Sequence, residues 1–297
     1  MNSPWHCIFI KPFIWLAMLS ARLPQPWLMR VATLSCLACW PFLYRRRRVA
    51  STNIELCFKN LSLPERQDLF NRNLLATITG VFELFRAWYA PSKTLSALAD
   101  IHGIDRLKAA MAEGRGVLLL TGHFTHTELA VRLLSEALNR KVRVVVRRHN
   151  NACIEHSFET ARAKVFDDSI EKKDLRALLR ALRAGDVVAY SSDQNFNYQH
   201  TFAPFFGMPA ATLTATPGIV ERSGSVMLPF WFYRDEHNRY QITIEHPWEN
   251  WPSADPIADT RVYMEKLEAV VREHPEQYLW VHKRFKTRPQ GSPNIYS

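Results

Sequence analysis

The spacing of apolar and polar positions changes near residue 100. Upstream, Phe70, Leu74, Ile78, Val81, Phe85 and Trp88 recur every three or four positions, the spacing of one helix face. Ser62 and Glu65 form a Ser-x-x-Glu capping box ahead of this run, and Pro91 closes it. Downstream, short apolar runs alternate with helical ones. Residues 117–120, 142–146, 187–190 and 226–232 read as buried strands, with helices at 129–138, 152–164 and 175–182 between them. Tyr240, Ile242 and Ile244 alternate with polar residues and predict an edge strand, and 262–271 predict a further amphipathic helix. Such alternation predicts an α/β fold with a mainly parallel central sheet flanked by helices. A boundary between Pro91 and Asp100 divides a helical region, 1–95, from an α/β domain, 96–297.

The first 44 residues follow a different pattern. Residues 13–21 are apolar, Arg22 interrupts, Pro24 and Pro26 break any helix, and 27–44 are again mostly apolar. The uninterrupted part, 31–44, would extend ~21 Å as a helix. That is short of a ~30 Å hydrocarbon core unless Arg30 snorkels. Four arginines, Arg45 to Arg48, follow directly. Placed beside Trp27, Trp40 and Tyr44, they predict N-terminal helices that attach to an anionic membrane surface rather than a cleaved leader.

Composition sharpens this picture. With 47% hydrophobic and 22% charged residues in 297, the chain can bury a real core and is not disordered throughout. A net charge of +10 suits an anionic partner, whether nucleic acid, phospholipid, phosphorylated substrate or acidic carrier. Cysteine use is sparse and odd (Cys7, Cys36, Cys39, Cys57 and Cys153), which predicts a reducing compartment. Cys36 and Cys39 lie in an apolar run and read as packed or lipid-facing thiols, not as a metal site.

The candidate chemistry centres on residues 116–128, GVLLLTGHFTHTE. Gly122 turns the chain out of a buried strand, His123 follows, and Thr125 is a fair N-cap for a helix carrying Glu128. Five residues on one continuous helix turn through about 140°, so His123 and Glu128 meet only if His123 precedes the helix. The carboxylate would then accept one ring N–H, leaving the other ring nitrogen to take a proton from a hydroxyl. Two other readings fit the same residues. Thr125 and Glu128 are themselves a capping box, and His123, His126 and Glu128 could bind a metal, although their spacing matches no standard zinc signature. Arg147 and Arg148 leave one strand, and Asp193 and Gln194 leave another, on the side where open α/β sheets hold ligands. Arginine forks suit phosphate, but solvated arginines and an ordinary turn explain these positions as well. Lys283, Arg284, Lys286 and Arg288 form a second basic cluster. Phe202, Pro204, Phe205 and Phe206 fit either an acyl groove or packing beneath a loop.

Residues 122–128 resemble the His-x-x-x-x-Asp/Glu motif of glycerolipid-type acyltransferases, in the Glu form used by the late acyltransferases of lipid A biosynthesis. RRRRVASTNIELCF (45–58), DVVAYSSDQNF (186–196), TFAPFFGMPAATLTATPGIVERSG (201–224) and QYLWVHKRFKTRP (277–289) are similar to the same family, in the same order. The resemblance implies an enzyme on the cytoplasmic face of a Gram-negative inner membrane. It implies transfer of a fatty acyl group from acyl carrier protein to a hydroxyl on a hydroxyacyl chain of a lipid A precursor. His123 would be the general base and Glu128 its orienting partner, with no covalent acyl-enzyme, no cofactor and no metal. The expected partners are the carrier protein, the lipid A precursor and inner-membrane phospholipids, and no nucleic acid. Arg147, Arg148, Asp193, Gln194 and Arg284 make up the expected substrate-binding set. The stretch VVRRHNN lacks a proline found after the arginine in some relatives, which leaves Arg147 and Arg148 without separate roles.

Overall fold

Val117–Thr121 is buried at all five positions, because it is the central strand of a sheet covered on both faces. The computed structural model describes residues 11–296 and places this strand, β2, in a sheet of seven. The others are β1 (Ala99–His102), β3 (Arg143–Val146), β4 (Ile170–Glu171), β5 (Val187–Ser191), β8 (Val226–Arg234) and β9 (Tyr240–Ile244). Their order is β1-β9-β8-β2-β5-β3-β4, and only the β8–β9 pair is antiparallel. Two further strands, β6 (His200–Phe205) and β7 (Met208–Leu213), form a separate antiparallel hairpin. The α/β fold with a mainly parallel sheet is therefore as the sequence predicts.

One strand sits differently. β9 is not an edge, because β1 pairs with it in parallel from outside. The alternation in β9 reflects one face that is only partly covered. The true edges, β1 and β4, are four and two residues long, too short for a period to register.

The capping box forms in both directions: the Ser62 N–H donates to Glu65 at 2.7 Å, and the Glu65 N–H to Ser62 Oγ at 3.5 Å. It starts the helix Leu63–Tyr89, which ends just before Pro91. This long helix packs on the N-terminal helices Lys11–Ser20, Gln25–Cys39 and Tyr44–Cys57, and on the other side on Thr127–Leu138. Ala17, Ile54, Leu69 and Phe85 share one core with Leu118, Leu119 and Leu133, so apolar contacts cross the boundary between Pro91 and Asp100 without a break. Glu83, fully buried on the long helix, accepts from Tyr240 Oη at 2.7 Å and pairs with Arg234. Burial opposes its ionisation, but the Arg234 guanidinium, His126 and the hydrogen bonds from Tyr240 and Arg234 together outweigh this and keep the carboxyl below its usual range. Removing either partner would strand a buried charge.

The outward face of the N-terminal helices is apolar. Phe13, Trp15, Leu16, Leu34, Leu37 and Phe42 are exposed, Phe42 by 86%. Among the described residues, no single helix is long and apolar enough to cross a membrane. Of the two thiols in the apolar run, Cys36 is buried and Cys39 exposed; Cys7 lies outside the described residues.

Gly80 sets how closely the long helix approaches the loop after β2. A Cβ there would lie 2.4 Å from the Thr125 carbonyl oxygen. Gly80→Ala should therefore cost about 1–3 kcal/mol, since one element must retreat. Thermal denaturation should show a fall of several degrees; an unchanged midpoint would mean that the contact does not govern the packing.

Candidate active site

The parallel pairing of β2 with β5 places Thr121 opposite Ser191. His123 and Asp193 each lie two residues past the end of their strand. Neighbouring strands lie ~4.8 Å apart, so equal offsets bring the two side chains together. His123 Nδ1 lies 2.5 Å from Asp193 Oδ1. The His123 main-chain N–H donates to Asp193 Oδ2 at 3.0 Å, and Tyr278 Oη donates to the same oxygen at 2.8 Å. Burial by itself would raise the Asp193 pKa, but the His123 charge and these donors win, holding the carboxyl well below the usual range. An ionised carboxylate at Nδ1 selects the tautomer with the proton on Nδ1. Nε2 is then a lone-pair acceptor on a ring that is 31% exposed in a cleft.

The loop is pinned from behind. The Thr125 N–H donates to Gln277 O at 2.9 Å, and the Leu279 N–H to His123 O at 3.0 Å. Asn73, on the long helix, donates to the carbonyls of Glu276 and Tyr278, each at 2.8 Å. The helix, the 276–279 segment and the histidine loop thus form one hydrogen-bonded stack.

Glu128 stands in the first helical turn, as the sequence predicts, but faces elsewhere. The helix begins at Thr127 with His126, not Thr125, as its N-cap. Glu128 Oε2 accepts from Trp88 Nε1 at 2.6 Å, and Oε1 from Arg162 Nη2 at 2.6 Å, with Arg162 Nε 3.1 Å from Oε1. Neither the direct His123–Glu128 contact nor the Thr125 capping box forms. The reason is electrostatic: Arg162 is nearly buried, stacked 5.2 Å over Trp88 and 5.6 Å over Phe158, and a buried guanidinium demands a carboxylate more strongly than a neutral imidazole does. His126 turns the opposite way, its ring against Phe232 and Tyr240, and burial pushes its pKa down to about 4. The three donors of the metal reading therefore diverge. Among the described residues, no group of three or more His, Cys, Asp or Glu could hold a metal ion.

His123, Glu128, Arg162, Arg147 and Gln194 line one cleft of about 300 Å³. Val131, Val144, Val146, Ala189 and Leu213 give it an apolar wall. Lys172, just past β4, completes the rim, held by its N–H donating to Val146 O at 2.8 Å. Three members of the expected binding set lie outside the cleft, and Asp193, 1% exposed, is one of them because it is buried against His123. Arg148 is exposed and reaches Glu171 at 3.4 Å. Arg284 is 1% exposed and donates to Ala211 O at 2.8 Å and Thr212 Oγ1 at 2.5 Å, so it braces β7. Phe205 and Phe206 pack against Trp280 in the core rather than against an open groove. Sequence reasoning passed over Arg162, Trp88, Tyr278 and Lys172. The pairing of Asp193 with His123 does leave a trace, in the equal offset of both residues from their strand ends.

Residues 5–287 match the family described as bacterial lipid A biosynthesis acyltransferase. The chain belongs to this family. It is 32% identical to the lipid A biosynthesis palmitoleoyltransferase of Escherichia coli (strain K12), over 97% of this chain and 96% of that protein. The lauroyltransferase of the same strain is 30% identical, over 95% and 92% of the two chains. The myristoyltransferase is 24% identical, over 84% and 78%. The protein is accordingly an acyltransferase, and the cleft at His123 is its candidate active site.

The pairing at Asp193 carries a pH signature. A depressed native pKa contributes stability that is fully present above the ordinary carboxylate pKa of about 4 and is lost as pH falls below it. The stability difference between the native protein and Asp193→Asn should shrink as pH falls through and below about 4. Chemical denaturation at stepped pH reads this directly; a difference independent of pH would count against an ionised Asp193.

Proposed function

We propose that this acyltransferase moves a fatty acyl group from acyl carrier protein to a hydroxyl on a hydroxyacyl chain of a lipid A precursor, at the cytoplasmic face of the inner membrane. The observation that carries the reading is the His123–Asp193 pair opening onto an apolar-walled cleft. The relatives, named as lipid A biosynthesis palmitoleoyltransferase and lauroyltransferase, support the acceptor.

The acceptor hydroxyl donates to His123 Nε2 as its oxygen attacks the thioester carbonyl. The proton passes to Nε2, and Asp193 stabilises the imidazolium. Negative charge collects on the carbonyl oxygen, within the field of Arg162 and Arg147 in the same cleft. Collapse of the tetrahedral intermediate breaks the carbon–sulfur bond, and the departing thiolate takes the proton back from Nε2. The thioester arrives activated, so no covalent enzyme intermediate is required. Glu128 is a positioning residue here: it holds the Arg162 guanidinium against the cleft. The exposed apolar face of the N-terminal helices rests on inner-membrane phospholipids.

With acyl carrier thioester and a lipid A precursor, His123→Ala should lose on the order of 10²-fold or more in rate, and full activity would end the proposal. Glu128→Ala and Arg162→Ala should each lower the rate, and the double variant should be no worse than the more damaging single change. Losses that multiply would mean that Glu128 works independently of Arg162. On the membrane side, Trp15→Asp combined with Leu37→Asp should weaken binding to anionic vesicles in a protein whose melting is unchanged; undiminished binding would rule out this face.

A further inference from the structure

A second, larger cleft of about 900 Å³ adjoins the catalytic one, and the two share Arg147, Lys172 and Gln194. One wall carries Arg45, Arg46 and Arg48, on the helix Tyr44–Cys57. Lys283 and Lys286, from the segment near the C-terminus, also line it. Among the described residues, no Asp or Glu lines this cleft. The arginine run that the sequence presents as a membrane anchor is therefore a wall of a cavity beside the active site.

Its walls are tied together. Arg46 Nη1 donates to Val281 O at 3.2 Å. Asn53 Nδ2, on the same helix, donates to Trp280 O at 2.7 Å and His282 O at 2.8 Å. The helix bearing the arginines and the segment bearing the lysines thus form one hydrogen-bonded unit, so the two walls are set against each other before any ligand arrives. Like charges gathered in a concavity repel one another and draw in a compact anion. Arginine forks and lysine ammonium groups both suit phosphate oxygens. Asn197 and Gln194 add amides to the lining, a mixture suited to sugar hydroxyls next to phosphate. A flat bilayer or the rounded surface of an acidic protein would be met by cations spread over an open face, not by cations converging on a hollow.

We propose that this cleft seats the phosphorylated sugar head of the acceptor lipid, so that an acyl chain leaving the sugar passes the shared rim of Arg147, Lys172 and Gln194 and presents its hydroxyl to His123. The distance from seated phosphate to His123 then decides which hydroxyl is acylated. This rests on the acceptor assignment above and names the part of the acceptor that the enzyme holds.

Binding can be read without turnover, in intact His123→Ala protein, by calorimetry. The probes are a phosphorylated glucosamine disaccharide without acyl chains, its dephosphorylated counterpart, inorganic phosphate and acyl carrier protein. The phosphorylated sugar should bind, and Arg45→Ala combined with Lys283→Ala should weaken it on the order of tenfold or more, as expected for lost charge-assisted phosphate contacts. The dephosphorylated sugar and inorganic phosphate should bind markedly less well, and carrier-protein binding should be unchanged by the two substitutions. In the enzyme with His123 intact, the same pair should raise KM for the acceptor and leave KM for the acyl carrier thioester alone. Equal binding of both sugars, or inorganic phosphate binding as tightly as the phosphorylated sugar, would overturn the proposal. So would substitutions that weaken only carrier-protein or vesicle binding. Because this assay needs no base, a failed general-base assignment would leave it standing, and the reverse also holds.

Discussion

The register between β2 and β5 is the constraint on which the site depends. Parallel pairing of Thr121 with Ser191 fixes where both strands leave the sheet, and His123 and Asp193 follow at the same offset. A slip of one residue would turn one of these side chains to the other face of the sheet. The pairing is secured by the burial of both strands: Leu118, Leu119 and Leu120 in one and Val187 and Val188 in the other lie within the core. Burying this apolar run and placing a base beside an acid are consequences of the same register.

Two carboxylates lie close to the catalytic cleft, and each has its own cationic or proton-sharing partner. Asp193 is committed to His123 and Tyr278, whereas Glu128 is committed to Arg162 and Trp88. This division leaves one imidazole nitrogen open to the cleft and fixes a guanidinium beside it, where the proposed acyl transfer places negative charge. The long helix Leu63–Tyr89 serves both halves. Trp88 holds Glu128, Asn73 holds the 276–279 segment behind His123, and Gly80 lets the helix come close enough to do so. The buried pair Glu83–Arg234 clamps the same helix to β8.

What the sequence reveals divides along the range of the interactions. The capping box at Ser62, the helix closed by Pro91 and the long buried strands are local patterns, and they read correctly. β1 and β4 are too short to display a period, so β9 looked like an edge. His123 and Glu128 were legible as candidates because the residues around them spell a strand, a turn and a helix. Their true partners were not, since Asp193 is 70 positions from His123 and Arg162 is 34 from Glu128. A spacing of five invited the nearer pairing, and nothing local reveals that a stacked guanidinium will claim the acid first. The arginine run shows the same limit: nothing local reveals that Arg45, Arg46 and Arg48 line a cleft, which follows from the packing of the helix Tyr44–Cys57 against the 280–282 backbone.

The account stands on Asp193 fixing the His123 tautomer so that Nε2 is the base. Nitrogen-15 NMR of the histidine rings at neutral pH tests this most directly. The intact protein should show His123 protonated on Nδ1 and bare on Nε2, and Asp193→Asn, whose amide can donate to Nδ1, should shift the proton to Nε2. A His123 already protonated on Nε2, or one whose tautomer ignores the substitution, would contradict it.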